Sequence, residues 1–129
     1  MNPNINIVTI PVEDLSVSKK FYIEVFNLSD ESVSVGEDHI ALFLDGDMSL
    51  VVFELRAFAE MIGQKLEDIS TSVILTYKVK NAEAVDSVLA KVEQAKGYIY
   101  QKGTSDEYSY SGTFKDPDRH MWEVISWNE

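Results

Sequence analysis

Apolar and polar residues alternate in INIVTIPV (residues 5–12), and the stretch is rich in β-branched side chains, so it reads as a strand. The period then changes. In EDLSVSKKFYIEVFNL, Val17, Phe21 and Val25 stand four apart, Phe26 and Leu28 widen the stripe, and Asp14 or Ser16 can cap the start. That spacing predicts a helix. Strand-like pieces follow at 31–35, 39–44 and 49–55, separated by the turn signals Gly36-Glu37-Asp38 and Asp45-Gly46-Asp47. LRAFAEMIGQKLEDIS predicts a short helical connection. After it the same order returns: a strand in TSVILTYKV, then a helix capped by Asn81 with Val85, Val88, Leu89 and Val92 on one face, closed by Gly97. YIYQK, YSYSGTF and MWEVISW supply three more strands, with KDPDR as the turn between the last two.

The two halves can be laid on each other. Ile7 falls on Ile74, Val12 on Val79 and Gly36 on Gly103 at one constant offset; Asp45 then falls on Asp116 and Leu50 on Glu123 after small loop insertions. Each half reads βαβββ, an internal repeat carried by the order of elements rather than by matched letters. The expected class is α+β, in a single domain spanning 1–129. Module one runs from about 5 to 56, a connection from about 57 to 71, and module two from about 72 to 129.

Composition narrows the function classes. A chain of 129 residues is long enough for one core, or for two small similar halves. Hydrophobic residues at 45% against 26% charged is the balance of a soluble globular protein. No apolar run approaches the roughly 18 residues of a membrane span, so no membrane partner is expected. The opening MNPNINIVTIPV has no basic segment before a long apolar stretch, and no signal peptide is expected. The absence of cysteine removes disulfides, thiolate ligands and thiol nucleophiles, and suits a cytoplasmic location. A formal net charge of −11, from 22 acidic and 11 basic side chains, repels phosphate backbones. No nucleic-acid partner is expected.

One carboxylate stands out. Glu123 interrupts a run that otherwise looks like a buried strand, and a charge is rarely buried without a partner. A metal, a cationic ligand, a water-filled pocket or a neighbouring hydroxyl such as that of Thr9 or Thr76 would each satisfy it. Alternation puts Met121 and Ile125 on its side and turns Trp122 and Val124 to the helices. The same parity turns Ile7 and Thr9, Leu50 and Val52, and Ile74 and Thr76 inward, which describes an apolar pocket with a few hydroxyls. Tyr108 and Tyr110 share one strand face, as do Tyr98 and Tyr100, and such rings stack on flat or cationic ligands. Tyr22, on the first helix, reads as core. His120 falls in the turn after Asp118-Arg119, and His39 opens a strand with no ligand-spaced neighbour.

PVEDLSVSKKFYIEVFNL resembles the opening of the vicinal oxygen chelate superfamily, which includes glyoxalase I, bleomycin-resistance proteins and extradiol dioxygenases. GTFKDPDRHMWEVISW resembles its closing signature. The resemblance implies two βαβββ modules whose curled mixed sheets surround a shared cavity, often completed as a homodimer. It also implies one metal ligand on the first and last strand of each module. Those positions carry over to Ile7, Leu50, Ile74 and Glu123, and three of the four are aliphatic. A divalent ion needs about three nitrogen, oxygen or sulfur donors, so no metal and no cofactor are expected. The expected ligand-binding residues are Glu123, Thr9, Leu50, Ile74, Met121, Tyr108 and Tyr110, with Glu123 the one catalytic candidate. The expected function is that of a metal-free protein resembling the bleomycin-resistance branch, which sequesters a cationic or aromatic small molecule. Two other readings stay open: a glyoxalase-type lyase or isomerase with a rearranged metal-ligand set, and a structural role with the cavity filled by side chains.

Overall fold

The computed structural model describes residues 3–128. Strand β1 (Ile7–Val12) leads into helix α1 (Leu15–Phe26), then β2 (Val33–Val35), β3 (His39–Phe43), β4 (Ser49–Glu54) and helix α2 (Leu55–Ile62). The second series is β5 (Ile74–Lys78), helix α3 (Ala82–Gln94), β6 (Tyr98–Ser105), β7 (Ser109–Lys115) and β8 (Met121–Trp127). Two four-stranded sheets result, ordered β1-β4-β3-β2 and β5-β8-β7-β6. In each, the first and last strands of the module pair in parallel and the others pair antiparallel. This is an α+β fold of two βαβββ modules, each a mixed sheet. No helix among the described residues is long and apolar enough to cross a membrane.

Two compact units divide the chain. The first takes the residues up to Lys19 and Leu28–Thr71; the second takes Lys20–Asn27 and everything from Ser72 onward. The boundary therefore falls inside α1, not only in the connection after module one.

In the first unit, the register pairs Ile10 with Val52 and Val52 with Ile40, and Leu50 with Leu42. All five are buried, which makes this the core face of the sheet. The Glu54 side chain starts α2 by accepting hydrogen bonds from the backbone N–H groups of Arg56 (2.7 Å) and Ala57 (3.2 Å). Gly63 ends it at φ 69°, and the Gln64 N–H closes onto the Ala59 carbonyl at 2.9 Å.

The second unit has an aromatic core. Phe21 and Tyr22 of α1 meet edge-on at 5.1 Å, Phe114 stacks on Trp122 at 6.3 Å, and Phe26 lies edge-on to both Tyr77 and Trp122. Val85, Leu89 and Val92 of α3 are buried with them. A side chain at Gly112 would come within 2.7 Å of Leu89, so glycine there lets the helix close on the strand. Asn81 caps α3 as its sequence predicts, accepting from the Ala84 N–H at 2.9 Å. Its far end differs from expectation: Lys96, not Gly97, takes the left-handed conformation at φ 69°. Gly97 follows because a Cβ there would lie 2.5 Å from the Phe21 ring and 2.8 Å from the Lys115 carbonyl.

Candidate functional site: the Glu123 face of the second sheet

The turn between β7 and β8 sets the register that presents Glu123. Asp116 is fully buried in that turn. One of its oxygens accepts from the backbone N–H groups of Asp118 (2.9 Å) and His120 (2.8 Å). The other accepts from the Tyr22 hydroxyl at 2.6 Å, and that hydroxyl in turn accepts from Trp122 Nε1 at 3.0 Å. A buried carboxylate with all these donors is held rather than stranded. Burial first, and the Asp116 charge second, push the Tyr22 phenol well above its ordinary value. The expectation that Tyr22 is core agrees with this geometry.

With the turn fixed, Lys115 pairs with Met121, and Thr113 with Glu123. On the other side β5 pairs Ile74 with Met121 and Thr76 with Glu123. Paired residues point to the same face. Glu123 therefore stands in a row between Thr76 and Thr113, flanked by the row of Met121 and Ile74 on one side and that of Ile125 on the other. The Thr76 hydroxyl donates to Glu123 Oε1 at 3.1 Å. The Thr113 hydroxyl is buried without a hydrogen-bond partner. Trp122 and Val124 lie buried on the opposite, helix-covered face. Ile74 and Met121 thus join Glu123, as the alternation predicts.

Strand β6 brings the Tyr98 and Tyr100 rings to the edge of this face. Tyr98 pairs with Lys115. A β-bulge between Ile99 and Gln101 then sets Tyr100 and Gln101 together opposite Thr113. The Arg119 guanidinium sits 5.0 Å from the Tyr98 ring centre, and Lys115 Nζ sits 5.8 Å from that of Tyr100. Arg119 reaches this position from a left-handed backbone, φ 71°.

Three expectations are corrected. Leu50 is buried on the core face of the first sheet with Leu42, because the parallel register pairs Ile7 with Ser49 and Thr9 with Val51. Ile7 pairs with Ser49 as Ile74 pairs with Met121, so the residue that matches Glu123 is Val51, one position on. Thr9 shares a face with Val51, in the first unit. Tyr110 pairs with Ser126 and points to the helix side, where its hydroxyl donates to Asp86 of α3 at 2.6 Å. There it helps line a groove of about 340 Å³ with Leu89, Glu93, Lys102 and Gly103. Tyr108 precedes β7 and lies in the bend, two-thirds exposed. Counting back by twos from Lys115, across the turn from Met121, would have excluded Tyr110.

The fold family implies a metal, and the side chains at its positions do not fit one. Ile7, Val51 and Ile74 bring no donor atom. Among the described residues no three histidine, aspartate or glutamate side chains cluster as a metal site. His39 is engaged otherwise: Nδ1 lies 2.8 Å from Asp38, and the ring stacks on Phe53 at 5.3 Å. His120 belongs to the Asp116 turn through its backbone.

Comparison with known proteins agrees with the fold. The family model for the Glyoxalase/Bleomycin resistance protein/Dioxygenase superfamily matches residues 4–124, and the chain belongs to that family. No curated protein matches the chain. Its structure is similar to that of a hypothetical protein from S. aureus, at 23% identity and TM-score 0.82, covering 98% of this chain and 94% of that one. A glyoxalase-related enzyme from Fulvimarina pelagi is similar at 21% identity and TM-score 0.84, covering 95% and 87%. A fosfomycin resistance protein from Mesorhizobium loti is similar at 19% identity and TM-score 0.68, covering 98% and 92%. At these identities the likeness speaks for the fold alone.

Proposed function

We propose that this protein binds a small organic molecule on the Glu123 face of the second sheet and does so without a metal, as a sequestration protein of the bleomycin-resistance kind. One observation carries the reading. Glu123 keeps a carboxylate at a family ligand position while the matching positions, Ile7, Val51 and Ile74, are hydrocarbon. A lone carboxylate beside the Thr76 hydroxyl suits a donor or cationic group on a ligand better than an ion that needs about three donors. Ile74, Met121 and Ile125 supply apolar contact, and Tyr98 and Tyr100 supply rings for stacking. Enclosure needs no catalytic group, so Glu123 acts here as a recognition residue. Association into a homodimer and a cytoplasmic location belong to the same proposal.

Metal content after incubation with Zn²⁺, Ni²⁺, Mn²⁺ and Fe²⁺ tests it. The expected result is no retained ion. One tightly held ion per chain, lost in Glu123→Gln, would replace this reading with the glyoxalase-type lyase or isomerase.

A further inference from the structure

The charge on this face runs against the charge of the molecule. The chain carries 22 acidic and 11 basic side chains. Yet among the described residues the ionic side chains that strand pairing or a ring contact places on the Glu123 face are Lys78, paired with Ile125, Lys115, paired with Met121, and Arg119 over Tyr98, against Glu123 itself. Three cations to one anion is an excess of positive charge on one face of an acidic protein. Nor do the opposite charges cancel each other. Lys115 and Glu123 are diagonal neighbours on adjacent strands, a separation of roughly 7–8 Å between backbones. Lys115 Nζ instead lies over the Tyr100 ring, and Arg119 lies over Tyr98.

We infer that the ligand of this face is amphoteric: it carries an acidic group, a carboxylate or a phosphoryl oxygen, for Lys115 and Arg119, and a protonated amine or other donor for Glu123. This rests on the Glu123 face being the binding site. Four features support it. The β6 bulge sets Tyr100 beside Lys115, so the ammonium is held on the face instead of folding onto Glu123. The tyrosine faces hold the cations without neutralising them, which leaves full charge for an incoming anion. Among the described residues Glu123 accepts one bond, from Thr76 at Oε1, and a carboxylate has acceptor capacity for several more. Finally, the buried Thr113 hydroxyl lies in the row between Glu123 and Gln101 with no protein partner, a polar atom for a ligand that opens the row. A purely cationic ligand would meet Glu123 but would be repelled by Lys78, Lys115 and Arg119. A purely anionic one would meet the reverse.

Three matched probes decide the matter: 4-(aminomethyl)benzoate, which spans an amine and a carboxylate across one ring, benzylamine and benzoate. Affinities are read by amide chemical-shift titration at low salt, with shifts required on β5, β7 and β8. The amphoteric probe is expected to bind at least about tenfold more tightly than either single-charge probe. Lys115→Met should reduce it to the affinity of benzylamine, Lys115→Arg should restore it, and Glu123→Gln should reduce it to the affinity of benzoate. The three substitutions fall at two half-buried positions, and an unchanged melting temperature certifies the fold. Equal binding of benzylamine and the amphoteric probe, with no effect of Lys115→Met, would overturn the amphoteric ligand and leave the Glu123 site standing. Shifts on none of these strands with any probe would remove both.

Discussion

The two sheets share a strand order, and one row shows how their chemistry differs. In the first sheet that row is Thr9, Val51 and Ala41; in the second it is Thr76, Glu123 and Thr113. The faces behind the rows differ as well. Behind the first lies an aliphatic layer of Ile10, Ile40, Leu42, Leu50 and Val52; behind the second lie Phe114 and Trp122 with the rings of α1. A carboxylate survives where hydroxyls flank it and where a rigid turn sets its strand. A row with one hydroxyl beside a plain aliphatic layer offers a charge less to offset desolvation. The topology repeats, and of these two rows the second carries a carboxylate where the first carries Val51.

The largest effect expected from breaking this contrast is at Asp116. Asp116→Ala would leave the Tyr22 hydroxyl and the N–H groups of Asp118 and His120 unpaired, costing about 3–5 kcal/mol in urea unfolding. A loss below about 1 kcal/mol would mean that the turn does not anchor the second sheet. In the first sheet, Leu50→Ala should cost about 3 kcal/mol and its neighbour Val51→Ala less than about 1.5. The reverse order would restore Leu50 to the ligand-facing row.

Tyr22→Phe is smaller, about 1–2 kcal/mol at neutral pH, for the lost bond to a charged acceptor. It also has a pH signature. The folded phenol is raised, so its contribution is complete below the unfolded value of about 10 and drains away as pH climbs above it. Thermal melts between pH 7 and 10.5 should show a shallower alkaline decline in the variant. The smallest effects compare helix ends. Gly63 after α2 and Lys96 after α3 adopt the same left-handed conformation, both at φ 69°. Lys96→Gly should gain about 0.5–1 kcal/mol and Gly63→Ala should lose about 1, both read from unfolding midpoints.

Much of the fold was legible because periodicity changes cleanly from two to nearly four and back, twice, with Asn81 and the KDPDR turn as punctuation. Trp122 and Val124 were rightly turned to the helices, since MWEVISW has a polar residue to fix its parity. SLVVF has only Ser49 at its edge: Leu50, Val51 and Val52 are apolar at both parities, so a one-residue slip leaves little trace in the sequence. The β6 bulge was invisible for a related reason. It follows from pairing with β7 rather than from any glycine signal at Tyr100. Lys115 and Arg119 escaped notice because a cation over a ring is a contact between strands and a turn, not a motif.

The split of α1 between the units has a consequence for the nascent chain. Tyr22 finds its partners 94 and 100 residues further on, at Asp116 and Trp122. Until those positions leave the ribosome, the helix carries Phe21, Tyr22, Val25 and Phe26 with their mates not yet made. Contacts of such long sequence separation are slow to close, and apolar surface left waiting invites association between unfinished chains. This protein therefore depends on its last two strands to cover a helix made near its start, and translation that halts before β8 should yield a species that chaperones hold and proteases clear.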